Sequence, residues 1–293
     1  MDKNLIFIIS QPRSGSTFLQ SLLSNNKEIN TSSESWIMLA LSPLLKPDSV
    51  KDAVYDHAMA TDAFHEYCTR FKINCRDHLK ELAFSFYSPM IKGFSFIIDK
   101  TPRYWEILDE LYALFPEAKY IILQRNPVAV VESMINTWKI KTFNQLQYLG
   151  RDLLLAPQVI TNFKYQYRQS KNVQCLSYEE LVEDTEVVTR KLYKWIGIPF
   201  EQVCLDTSSN KKVLGKYGDP FINGLKKQNH ETPSQFHDFL KGYAHYLGSE
   251  YIEDFGLQTE KFSKTKAKTM KVAVVEEEEE KENDTFDLTD ASE

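Results

Sequence analysis

No two of the four cysteines, Cys68, Cys75, Cys175 and Cys204, stand in CxxC spacing. Neither a zinc site nor a disulfide framework is expected, and free thiols in a reducing compartment are the plainer reading. Long apolar runs are missing too. Leu5–Ile9, the first, is too short for a signal-peptide core or a membrane span. No later run approaches the ~18 residues of a spanning helix. A cytoplasmic protein without a membrane span is expected. A basic surplus is the third absence. The net charge of −6 is unevenly placed: residues 258–293 hold six Lys against eleven Asp or Glu, leaving 29 basic and 30 acidic residues in 1–257. A near-neutral body argues against nucleic acid as a partner. There is no HExxH and no acidic cluster tied to the phosphate-loop-like turn described below, so no metal is expected.

What is present is a hydrophobic fraction of 42%, ordinary for a globular protein, arranged in alternating periods. Residues 5–9 read as a short buried strand, and Phe18, Leu19, Leu22 and Leu23 give the following segment helical spacing. A helical pattern runs from about 35 to 90, interrupted at Pro43 and Pro47. Residues 94–98, 120–123 and 174–177 read as further strands. Pro102 suits the first turn of a helix running to residue 115, and Asn126 can cap another that begins at Pro127. Further helices are expected around 179–182 and 186–196. Strands alternating with helices predict an α/β protein with a central, mostly parallel sheet covered on both faces. Ligands of such sheets bind beyond the carboxyl ends of the strands. Three polar turns fall there: QPRSGST, DKTP and QRNP. One domain is expected over 1–257, with a cap-like helical insertion at 35–92. The charged tail 258–293 is expected to be disordered, because so few apolar groups cannot offset ordering entropy.

The first turn, in LIFIISQPRSGSTFL, joins a strand to a helix through small residues. Orphan N–H groups at a helix start favour an anion. Gly15 lets the backbone come close, Ser14, Ser16 and Thr17 add hydroxyls, and Arg13 adds a planar charged fork. A phosphate or sulfate fits. The frame GxxxxGK[ST] lands on Ser10, Gly15, Ser16 and Thr17, so the first Gly and the Lys of a nucleotide kinase are both missing.

This stretch resembles the 5′-phosphosulfate loop of sulfotransferases that use 3′-phosphoadenosine-5′-phosphosulfate (PAPS). It is nearest the PRSG[ST]T branch of tyrosylprotein and bacterial or carbohydrate-type enzymes. YIILQRNPVAVVESM is similar to the family's 3′-phosphate motif, an Arg at a strand end with a Ser eight residues later, met by Arg125 and Ser133. LSYEELVED resembles the segment that places Tyr178 near the nucleotide. The matches run in order across residues 5–184. One departure is Val128, which stands where the family often has another basic residue and leaves the 3′-phosphate to Arg125 and Ser133.

The resemblance implies a P-loop-like three-layer fold with helical insertions capping the acceptor side. It implies sulfuryl transfer from PAPS, with PAP as product, by in-line attack analogous to phosphoryl transfer. Lys100, in DKTP, takes the position of the family's catalytic lysine at the bridging oxygen, with Asp99 beside it to orient it, and Arg13 supplies charge at the phosphosulfate. In the nearer branch a Glu about twenty residues past the Arg is the general base, which points to Glu34, twenty-one residues beyond Arg13. A Glu after Ser32 and Ser33 also suits the first turn of a helix. Lys216, in the turn-rich GKYGDPFI at 215–222, is expected to bind nucleotide or cover the site. The acceptor is expected to be a small or amphipathic alcohol or amine, such as a natural product, ahead of a protein tyrosine. A small-molecule or nucleotide kinase, and a non-catalytic PAP-binding module, remain as alternatives.

Overall fold

The structure, a computed structural model, describes residues 1–46, 50, 56–208, 210–214 and 232–247. Lys216 with its loop and the tail 258–293 lie outside the described residues.

Five apolar residues in succession have no polar face to show water. They form β1 (Leu5–Ile9), buried at every position, as a strand covered on both faces must be. Around it lie β2 (Ile29–Thr31), β3 (Phe96–Lys100), β4 (Lys119–Gln124) and β5 (Val173–Ser177). Their order is β2-β3-β1-β4-β5, and all four neighbouring pairs are parallel.

Alternation along β1 sorts the core into two layers. Leu5, Phe7 and Ile9 face Tyr87, Tyr104, Phe115 and Tyr120. Ile6 and Ile8 face Leu19, Leu22, Leu23 and Tyr193. Each such side chain stabilises the fold by about 1.5–3 kcal/mol through burial.

The helices that supply these layers are the crossovers between parallel strands. After β1 comes α1 (Ser16–Ser24), on the Ile6/Ile8 face. Between β2 and β3 lie α2 (Ile37–Leu41), α3 (His57–Arg70) and α4 (Cys75–Ile91). Of these, α4 is a layer helix, with Ala83 and Tyr87 in the core of the Phe7 face. By contrast α3 buries only Thr61 and Cys68. Within 35–92, α4 is thus packed as a layer of the fold. After β3 a 3-10 stretch (Pro102–Ile107) leads into α5 (Leu108–Leu114). Then come α6 (Pro127–Thr137), α7 (Phe143–Gln147) and, after a π-helical turn (Arg151–Leu155), α8 (Ala156–Tyr167). The chain continues through α9 (Tyr178–Glu183), α10 (Thr185–Ile196) and α11 (His237–Leu247). A third apolar cluster joins α6 to α11 through Val130, Met134, Leu240 and Tyr243.

Two expectations need correction. β2 was not expected; its three residues, Ile-Asn-Thr, are too few to show a period. β3 begins two residues later than the apolar pattern suggests and runs through Lys100. Asp99 and Lys100 are therefore strand residues, pointing to opposite faces.

Candidate active site

The strand order places the carboxyl ends of β3, β1 and β4 side by side, so the three polar turns share one edge. At the end of β1 the chain adopts two left-handed residues, Arg13 (φ 68°) and Gly15 (φ 88°), before α1 starts at Ser16. Among the described residues no side chain caps that helix, and its first N–H groups are the ordinary orphans of a helix start. The Ser14 hydroxyl is buried and finds no hydrogen-bond partner among the described residues, a state that disfavours folding unless a ligand completes it. Gly15 is required by contact as well as by φ. A Cβ there would lie 2.3 Å from Cδ2 of Tyr178, whose ring covers the turn.

At the end of β4, Asn126 caps α6, its side chain accepting from the N–H groups of Val128 (3.0 Å) and Ala129 (3.2 Å). This fixes the departure of Arg125, which donates through Nη1 to the Arg13 carbonyl at 3.0 Å and lies 4.6 Å from the Tyr178 ring centre. Burial pulls the Arg125 pKa down, while Tyr178 and Glu179 pull it back up. Nε of Arg13 donates to Ser133 Oγ, on α6, at 3.4 Å. Arg13, Ser133, Arg125 and Tyr178 therefore form one group around the first turn.

Lys100 forms the second group. Its side chain is 1% exposed, and Nζ donates to Thr17 Oγ1 (3.3 Å) and to Glu34 Oε1 (3.0 Å). A buried ammonium is tolerated when it is paired and hydrogen-bonded. Glu34 keeps 15% of its side chain exposed. It sits on a segment tied down repeatedly. Gln20 of α1 donates to Thr31 Oγ1 and to the Ser32 carbonyl, both at 2.7 Å. Thr31 Oγ1 donates to the Ile98 carbonyl at 2.8 Å. Trp36 donates through its backbone N–H to Thr101 Oγ1 (3.2 Å) and through its indole to Glu34 Oε2 (3.3 Å).

Asp99 is placed differently from its expected role. Instead of orienting Lys100, its buried carboxylate accepts from Tyr87 (2.6 Å), Tyr104 (2.8 Å) and Ser35 (2.8 Å) on the other face of β3. Burial raises its pKa, and the three hydroxyl donors oppose that rise. Ser35, Tyr87 and Tyr104 carry no motif. Their link to Asp99 is a contact between different elements of the fold, which spacing alone does not reveal.

Two basic centres thus flank an uncapped helix start, one at Lys100 and one at Arg125. A ligand bearing anions at two ends fits this donor set, and the buried Ser14 hydroxyl belongs to the same turn. Glu34 adds a carboxylate beside Lys100. Among the described residues no group of three or more His, Cys, Asp or Glu could hold a metal, and no helix is long and apolar enough to cross a membrane.

A family model described as the sulfotransferase family matches residues 5–202. Among curated proteins, the nodulation protein NoeE of Sinorhizobium fredii is 37% identical over 135 residues, 46% of this chain and 32% of its own length. Protein-tyrosine sulfotransferase 1 of Danio rerio is 25% identical over 243 residues, 79% of this chain and 62% of its own length. The chain thus spans less than two thirds of either relative. Among solved structures, the sulfotransferase domain of the Synechococcus PCC 7002 olefin synthase aligns with a TM-score of 0.54 at 20% identity, over 86% of this chain and 94% of that one. The mouse sulfotransferase SULT7A1, complexed with PAP, aligns at 0.51 and 15% identity, over 88% and 89%. These likenesses establish the fold, P-loop-like and three-layered.

Proposed function

The chain belongs to the sulfotransferase family, and from that premise we propose that it transfers the sulfuryl group of PAPS to a hydroxyl or amine of a small or amphipathic acceptor. The observation that carries this reading is the Lys100 ammonium lying between Thr17 of the anion loop and Glu34. It joins the end that holds a donor to the carboxylate that can take an acceptor proton.

PAPS, when bound, supplies an activated sulfonate and leaves PAP behind. The 5′ end would be held by Ser14, Gly15, Ser16 and Thr17, through the α1 N–H groups and hydroxyls. The 3′-phosphate would be held by Arg125 and Ser133, with Arg13 bridging the two regions and Tyr178 against the nucleotide. Lys100 neutralises negative charge that builds where the phosphosulfate bond opens. Preorganised cations of this kind act strongly in a water-poor site. Glu34 accepts the acceptor's proton as a general base. Each of its oxygens already receives one donor and keeps a second lone pair. Lys216, outside the described residues, would bind nucleotide or cover the site.

The similarity to a protein named for tyrosine sulfation keeps a protein tyrosine as the second acceptor class. The test is incubation of the full chain with PAPS and a panel of alcohols, amines and tyrosine peptides, read as a mass gain of one sulfonate with matching PAP release. Transfer to any member supports the proposal. Tight PAP binding with no transfer on any acceptor would point to a binding module, and magnesium-dependent ATP turnover to a kinase.

A further inference from the structure

Trp36 has an outlying backbone. Its φ of 56° and ψ of 8° put a bulky aromatic residue in the left-handed region, at a cost of about 1–2 kcal/mol. Strain of that kind persists where the surroundings over-determine it. Three ties do so here, two to the residues flanking Lys100 in sequence and one to Glu34. Ser35 Oγ donates to Asp99, the residue before Lys100, at 2.8 Å. The Trp36 N–H donates to Thr101, the residue after Lys100, at 3.2 Å. The Trp36 indole N–H donates to Glu34 Oε2 while Lys100 holds Oε1. The two residues following Glu34 are thus fastened to Asp99 of β3 and to Thr101 just beyond it, the two sequence neighbours of Lys100, and the carboxylate is gripped at both oxygens. Asp99 is itself fixed by two buried tyrosine hydroxyls, so the fastening ends in the core. Trp36 is half-buried, and a residue that only fills space needs neither the left-handed turn nor the bond to a carboxylate.

We propose that Trp36 is a positioning residue for sulfuryl transfer: its left-handed turn, clasped to the sequence neighbours of Lys100, aims the Glu34 carboxylate and sets its separation from the ammonium. The inference rests on the reading above for the role of Glu34.

The experiment has two arms on the full chain. In the first, without donor, the indole N–H resonances of the four tryptophans are followed by NMR. The Trp36 resonance is identified by its loss in Trp36→Phe. It is expected to move in Glu34→Gln while the other three stay in place; a Trp36 resonance that does not move overturns the clasp. In the second arm, Trp36→Phe keeps the ring and removes the donor. Its kcat for sulfonate transfer is expected to fall about ten- to hundredfold, the scale of a misaimed catalytic group. PAP affinity and KM for PAPS should stay within about twofold of wild type, since the donor grip in the reading above lies elsewhere. Wild-type kcat, or a kcat loss matched by an equal loss of PAP affinity, would overturn the proposal. Should Trp36→Phe fail to fold, Ser35→Ala cuts the tie to Asp99 instead and is expected to show the same kcat loss with PAP binding retained; unchanged kcat there overturns it equally. A wild type that binds PAP but transfers no sulfonate sinks the sulfotransferase reading on its own, and the resonance arm then decides whether the clasp exists.

Discussion

Lys100 is the side chain on which both halves of the site converge, and its burial makes its removal informative. Lys100→Met keeps length and apolar bulk while deleting the charge. Sulfonate transfer is expected to drop by at least about a hundredfold, the usual loss when one preorganised electrostatic donor is removed. Glu34→Gln is expected to lower turnover similarly while PAP still binds, checked by steady-state kinetics beside calorimetry. Asp99 gives a prediction of another kind. Its pKa in the fold is raised by burial, above the ~3.9 of an unfolded aspartate. The folded state therefore holds the proton more tightly. Stability from this group is fully present below the unfolded value and is lost as pH rises through the folded one. The melting temperature of wild type relative to Asp99→Asn should accordingly decline as pH is raised from about 4; a flat difference would mean that burial does not dominate at this carboxyl. The grouping of Arg13, Arg125 and Ser133 was legible in the sequence because the two motifs that carry them leave neighbouring strand ends, Ser133 lying within α6. Ser35, Tyr87 and Tyr104 were not. They meet Asp99 across 64, 12 and 5 positions, and nothing local marks a hydroxyl as the partner of a carboxylate in another element.

At the scale of elements, the helix ends carry the site. Asn126 holds two N–H groups at the start of α6, and that turn fixes Arg125. Asn126→Ala is expected to destabilise the protein by about 1 kcal/mol, the common value of an N-cap, and to weaken PAP binding at the same time. Urea unfolding and calorimetry read the two effects separately. The opposite end of α1 is closed by Tyr193 of α10, whose hydroxyl bonds the carbonyls of Leu22 (2.9 Å) and Leu23 (2.8 Å). Tyr193→Phe leaves those buried acceptors short of a donor, and a loss of about 1–3 kcal/mol in urea unfolding is expected. Most elements were visible beforehand because long apolar periods and capping residues agree, as at Asn126-Pro127. β2 was hidden for a physical reason. Its pairing with β3 and the bonds from Gln20 to Thr31 are supplied by distant residues. The limits of β3 were misjudged because Asp99 and Lys100, polar residues that ordinarily signal a turn, are buried in the strand by partners from α4, α1 and the Glu34 segment.

For the molecule as a whole, a ligand that binds only the folded state adds to its stability. PAP at a hundredfold excess over its dissociation constant should contribute about 2.7 kcal/mol, or a melting shift of roughly 5–10 °C for a domain of this size. Arg125→Ala should remove most of that shift. Arg125 rests on the carbonyl of Arg13, so in the proposed reading the two jaws that would hold the nucleotide lean on each other. A fragment such as 5′-AMP or 3′-AMP closes only one of them and leaves the other slack. Their separate binding free energies should therefore add up to less than that of the joined molecule. An inhibitor of this protein gains more by spanning both jaws than by perfecting its fit to either.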